Sequence, residues 1–253
     1  MFIDSHAHLT DTRLLSEIEK VRALYLSNGV TCVLDVGHSI QSSIQAKKNA
    51  QTFEEVYYSV GLHPDVAGSV DKTSLDKLIE LSSDKKCLAI GEIGLDYHYL
   101  DYSKEVQLKA FTSQLELAIK LKKPVIIHSR DACCDTVNIL KEYSSELNGF
   151  LMHCYSYSKE TAKTLLDLGA YFSFGGVVTF KNAKKEDIIK SIPQSRILLE
   201  TDCPYMAPVP FRGTINKPEY MPYIYNKVAS IYGETLSDFC ATVKNNFETF
   251  FKI

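Results

Sequence analysis

The chain has 253 residues, 45% hydrophobic and 23% charged, with a formal net charge of −3; this is the balance of an ordinary soluble globule and excludes a disordered or fibrous chain. The slight acidity excludes a global positive field as the means of holding nucleic acid, although bound cations could still attract phosphates locally. No apolar run is long enough to span a membrane, and the opening "MFIDS" lacks the basic and apolar regions of a signal peptide.

A cytoplasmic protein with no membrane partner and no obligate protein partner is therefore expected. A chain of this length can form one large domain that buries roughly 70% of its unfolded surface, and nothing in the composition marks a boundary, so residues 1–253 read as a single catalytic domain. The seven cysteines, with Cys133 and Cys134 adjacent and no zinc-like spacing, read as reduced thiols.

Eight short apolar runs follow in chain order: "MFIDSHAH", "VTCVLDVG", "EVYYSVGLH", "CLAIGEIGLD", "PVIIHSRD", "GFLMHCYS", "AYFSFGGVVTF" and "RILLETD". Between them the period becomes helical, first at Leu14, Ile18, Val21 and Tyr25, then at Leu75, Leu78 and Ile79. It returns at Leu108, Phe111, Leu115 and Ala118, at Val137 and Leu140, and at Ala162, Leu165 and Leu166. A proline-rich stretch, "CPYMAPVPFRGTINKPEYMP", precedes a helix carrying Ile224, Val228 and Ile231. A final helix carries Leu236, Phe239, Val243, Phe247 and Phe250, with Thr235 and Asp238 as its capping box. Strands alternating with helices predict a parallel sheet with helical crossovers, and eight of them predict an α/β fold of the (β/α)8 TIM-barrel type.

Polar residues fall where such strands end. His6 and His8 close the first run, Glu92 sits in "AIGEIGLD", His128 ends "VIIH", His153 ends "FLMH" and Asp202 ends "ILLETD". Taken singly, each has a bland reading as a hydrogen-bonded strand end or turn. Together they are hard to explain that way, because burying such groups without partners costs several kcal/mol. In a barrel the C-terminal strand ends converge on one mouth. Four imidazoles and two carboxylates suit divalent-metal chemistry, and two ions sharing Glu92 would use six ligands economically. His63 in "VGLHP" is open to a phosphate contact, a ligand-holding role or a turn before Pro64. Arg130 could fork onto a phosphate or bridge to a carboxylate. Glu200 shares the parity of Asp202 and could orient a ligand or accept a proton, while Asp96, Tyr97 and Tyr99 are expected on the loop after the fourth run. Asp4 has the parity of His6 and His8 but lies deeper, as a hydrogen-bonding partner.

The ordered motifs "DSHAHL", "VGLHP", "AIGEIGLDY", "F..QLELA..L..PVIIHSRDA", "LMHCYS", "LLETDCPYMAP" and "FRGTINKP" resemble the TatD family of metal-dependent hydrolases, within the amidohydrolase-like barrels. The resemblance implies two divalent ions, with Mg, Mn or Zn the candidates, and hydrolysis of DNA in the 3' to 5' direction. His6, His8 and Asp202 resemble the ligands of a first ion, His128 and His153 those of a second, and Glu92 the bridge. His63, Arg130, Glu200 and Arg212 resemble positions of the substrate pocket. The sequence departs from the family at Tyr157, where a glycine is usual, and mildly at Cys203. The mechanism implied is attack by a metal-activated water on a phosphodiester, with Glu200 or Asp202 accepting its proton, His63 and Arg130 contacting phosphate, and Tyr99 or Tyr157 stacking on a terminal base. Such a pocket suits single-stranded or frayed DNA ends. The same barrel also hosts amidases, lactonases, deacylases and deaminases, and a non-catalytic nucleic-acid-binding barrel would be expected to lose some of the six ligands.

Overall fold

The computed structural model describes residues 1–253 and has the (β/α)8 barrel fold expected of the eight runs. Its strands are β1 (Phe2–Ala7), β2 (Val30–Val36), β3 (Val56–Val60), β4 (Cys87–Asp96), β5 (Val125–Arg130), β6 (Phe150–Met152), β7 (Tyr171–Phe174) and β8 (Ile197–Leu199). They form one eight-stranded sheet in sequence order. The chain comprises two compact units. One contains Met1–Asp35, Cys154–Leu166 and Tyr171–Ile253; the other contains Val36–His153 and Asp167–Ala170. No helix is long and apolar enough to cross a membrane, and none of the seven cysteines is in a disulfide.

In the first unit β1 runs parallel to β2, and its last residue, Ala7, also bridges Cys203, which follows β8. Two buried polar side chains fix the strand starts. The Tyr225 hydroxyl accepts from the Ile3 amide at 3.1 Å and donates to the Ile3 carbonyl at 3.0 Å. Asn246 donates to the carbonyls of Gln194 and Ile197 at 2.7 and 2.8 Å, tying the helix Leu236–Phe251 to the start of β8. Thr235 caps that helix by accepting from the Asp238 amide. The reciprocal bond differs from a capping box, since Asp238 accepts from the Thr235 hydroxyl instead. The expected first helix is broken into Thr12–Leu15 and Ile18–Ser27.

In the second unit β4 is ten residues long and buried throughout, as a parallel strand covered on both faces must be. Gly94 makes its pairing with β5 possible. At φ +144° it lies so close to β5 that a Cβ there would fall 1.9 Å from the His128 carbonyl oxygen. The helix Ile40–Thr52 between β2 and β3 carries no apolar stripe. It buries Ser42, Ser43, Ala46, Asn49 and Ala50, and a Ser39–Ser42 capping box starts it. Lys86 closes its far end by donating to the carbonyls of Ala50, Phe53 and Glu54 at 2.7 to 3.0 Å.

Candidate metal centre

The first unit brings three ligand-type atoms together. His6 lies on β1, and His8 follows immediately after it. His6 Nε2 and His8 Nε2 are 3.3 Å apart, and Asp202 Oδ1 lies 3.8 Å from the first and 3.5 Å from the second. Backbone pairing sets this approach: the Asp202 amide donates to the His6 carbonyl and the His8 amide to the Cys203 carbonyl, both at 2.9 Å. Asp202 adopts a left-handed backbone, φ 54°, a conformation costing a non-glycine residue on the order of 1–3 kcal/mol and concentrated at functional sites. Asp4 braces the arrangement from beneath. Its Oδ1 accepts from the Thr201 amide at 2.9 Å and the His6 amide at 3.3 Å, and its Oδ2 from the Thr201 hydroxyl at 2.6 Å. Complete burial is the largest influence on this carboxyl and raises its pKa from 3.8 to about 7, against the hydrogen bonds that lower it.

The second unit gathers Glu92 from β4, His128 from β5, and His63 and His153 from just beyond β3 and β6. Glu92 Oε1 lies 2.9 Å from His128 Nδ1, 2.8 Å from His153 Nε2 and 3.8 Å from His63 Nε2; the two histidine nitrogens first named are 3.2 Å apart. Burial alone would raise the Glu92 pKa, but His153, His63 and His128 outweigh it and hold the carboxylate ionised, well below its usual range. Burial would likewise strip the proton from His128, yet Asp96 and Glu92 on its two sides raise its pKa.

Asp96 closes β4 and is not on the following loop, as the sequence had suggested. Its Oδ2 lies 3.0 Å from His128 Nε2, which as donor leaves Nδ1 turned toward Glu92. Burial opposes ionisation of Asp96, but the bond from His128 and the amides of Tyr99 and His98 bring its pKa down to about 2. Two ligands about 2.1 Å from one ion at a tetrahedral angle stand about 3.4 Å apart. Separations of 3.3 to 3.8 Å in the first unit match that spacing. The second group is slightly tighter, as its direct hydrogen bonds require. Imidazole nitrogens and ionised carboxylates, with a carboxylate behind one histidine, suit a divalent cation.

The remaining sequence candidates occupy varied surroundings. His63 starts a turn through Asp65, whose carboxylate lies 2.8 Å from its Nδ1, while its ring meets His128 edge-on; turn and site readings therefore coexist. Arg130 lies over the exposed Tyr99 ring at 4.9 Å, and the Tyr99 amide donates to Asp96. Tyr157 packs edge-on to Tyr155, and Arg212 lies over Phe180 at 4.5 Å. Glu200 is fully buried. Its Oε1 accepts from the Cys154 amide at 2.7 Å and its Oε2 from the Ser173 hydroxyl at 2.5 Å, so it braces the backbone directly after His153.

Gln107 and Gln114 are not among the site candidates that the sequence motifs suggest. Gln107 accepts from the Asp96 amide and donates to its carbonyl, each at 2.8 Å. Gln114 does the same to Leu62, the residue before His63, at 2.8 and 2.9 Å. Both are fully buried on the helix Lys104–Leu121. Their signal was a pair of amides seven residues apart, on the apolar face that also carries Ala110, Phe111 and Ala118.

The model of a family described as TatD related DNase matches residues 3–252. The chain belongs to the TatD family. This TatD-family chain is a metal-dependent hydrolase. It is 37% identical over 254 residues to the metal-dependent hydrolase YabD of Bacillus subtilis, covering 100% of each chain. It is 28% identical over 256 residues to the 3'-5' ssDNA/RNA exonuclease TatD of Escherichia fergusonii, covering 99% of this chain and 98% of that one. The crystal structure of YJJV, a TatD homolog from Escherichia coli K12, superposes with a TM-score of 0.93 at 28% identity, covering 100% of this chain and 98% of the other.

Proposed function

We propose that this TatD-family hydrolase removes nucleotides from the 3' ends of single-stranded or frayed DNA, acting in the cytoplasm as one catalytic domain. The observation that carries the reading is the convergence of ligand-type atoms in two groups, His6, His8 and Asp202 in one and Glu92, His128 and His153 in the other. Each group would hold one divalent ion, Mg, Mn or Zn. When bound, the cations lower the pKa of water and offset charge developing on the phosphate oxygens. A relative named as a 3'-5' ssDNA/RNA exonuclease supports the substrate class and direction.

The side chains then divide the work. Asp202 is the proposed proton acceptor, because both oxygens of Glu200 already hold the strand ends around His153. His63, fixed through Asp65, and Arg130 contact the phosphate; Arg212 contacts a neighbouring part of the strand. Tyr99, whose amide is anchored on Asp96, and Tyr157 offer faces for a terminal base.

The test compares a 3'-labelled with a 5'-labelled single strand in the presence of Mg, Mn or Zn. Labelled mononucleotide released at once from the 3'-labelled strand is expected, with a loss of at least 100-fold in kcat/KM for His128→Ala. Internal cuts would contradict the direction, and cleavage of amides, lactones or acylated compounds in place of DNA would contradict the substrate class.

A further inference from the structure

We infer that Arg13 and Tyr205 form a phosphate-gripping subsite for the nucleic-acid strand beside His8, with Asp11 as its positioning residue. The inference rests on the nuclease reading above and assigns a part of the strand to residues which that reading leaves unused. Tyr205 is 49% exposed, yet it is rigidly mounted. Its amide donates to the Asp202 carbonyl at 2.9 Å, and its own carbonyl accepts from the buried Asn216 side chain at 2.7 Å. The same Asn216 amide also donates to the Thr201 carbonyl at 2.7 Å, so one side chain fixes the ring and the ligand Asp202 together. The Tyr205 ring meets the His8 ring edge-on at 6.3 Å.

The Arg13 guanidinium stands over that same ring, 4.9 Å from its centroid. Asp11 grips it in a fork, accepting from Nε and Nη2 at 2.8 Å each. The Asp11 backbone is itself tied to the segment of His8, its amide donating to the His8 carbonyl at 3.1 Å. Asp11 therefore uses two of the five guanidinium N–H groups, and the side chain remains 43% exposed. An arginine held on both sides loses little further conformational freedom when it binds, and its planar fork matches two phosphate oxygens. The exposed remainder of the Tyr205 ring can pack against the adjoining nucleoside. A carboxylate fork, an aromatic platform and direct contact with a ligand histidine make this a built site, unlike Arg212, whose described partner is the Phe180 ring alone.

The experiment measures steady-state cleavage of a 12-nucleotide single strand across a salt series, with melting temperature as the control for folding. Arg13→Ala is expected to raise KM about tenfold with a smaller change in kcat. Loss of one phosphate contact should also flatten the slope of log KM against log salt by about 0.7. Asp11→Ala should raise KM less than Arg13→Ala, because the charge persists while its anchor is lost. Tyr205→Phe should retain the wild-type KM and Tyr205→Leu should not. Lys20→Ala removes an exposed cation of the same unit and should leave KM and slope in place. Unchanged KM and slope in Arg13→Ala would overturn this subsite while leaving the nuclease reading intact. A loss confined to kcat would assign Arg13 to the support of His8 instead, and a wild type that leaves the strand uncut would overturn both.

Discussion

Asp96 shows how one carboxylate can fix which nitrogen of a histidine faces a candidate site. With His128 Nε2 engaged at 3.0 Å, only Nδ1 is available on the side of Glu92. Asp96→Ala frees the ring and should weaken Mn binding about 10- to 100-fold, measured by calorimetry. Asp96→Asn keeps an acceptor for Nε2 and should retain most of the affinity; equal losses in the two variants would refute the orienting role. Asp4 makes a pH prediction. A carboxyl whose pKa rises from 3.8 to about 7 on folding contributes stability that is fully present below pH 3.8 and is lost as pH climbs through 7. Metal-stripped wild type should therefore lose stability relative to Asp4→Asn between pH 4 and 8, by on the order of 2–4 kcal/mol. Parallel denaturation curves of the two proteins across that range would contradict the assignment.

Elements differ in how plainly they appear in the sequence, and the reason is what they bury. All eight strands were visible because a parallel strand buried on both faces must be a near-continuous apolar run. The candidate ligands stand out because histidine or carboxylate in such a run demands an explanation. Helix Ile40–Thr52 was hidden, since its buried face is serine, alanine and asparagine, which look like a solvated surface in one dimension. Asp96 lies one residue short of the expected loop because "GLDYHY" contains turn-forming and strand-forming residues without a break. Gln107 and Gln114 were hidden because a buried amide that satisfies a backbone amide and carbonyl leaves no mark in hydrophobic periodicity. That helix is consequently a positioning element, gripping the residue before His63 and the residue behind His128. Gln107→Ala strands both backbone groups of Asp96 and opens a void, at a cost of about 2–4 kcal/mol. Thermal unfolding should show that loss together with weaker Mn binding, whereas Leu108→Ala, on the partly exposed side, should leave Mn binding unchanged.

On the scale of the whole molecule, a chain with a net charge of −3 has no global field with which to attract a polyanion. The proposed nucleic-acid binding therefore relies on local cations, bound ions or arginines such as Arg13 and Arg130. Polar groups that would be costly singly gather at or near strand ends, as His6, His8, His153 and Asp202 do, and within β4, where Glu92 stands; each is at most 8% exposed. The proposed function requires that these groups bind metal and that the bound metal drives phosphodiester hydrolysis. Titration of chelator-treated protein with Mn, while single-stranded DNA cleavage is followed, decides whether both requirements hold. No cleavage is expected before addition, then activity that rises to a plateau at two ions per chain, and none at any Mn level in Glu92→Ala. Cleavage that persists in chelator, or none with any divalent ion, would contradict the proposed function.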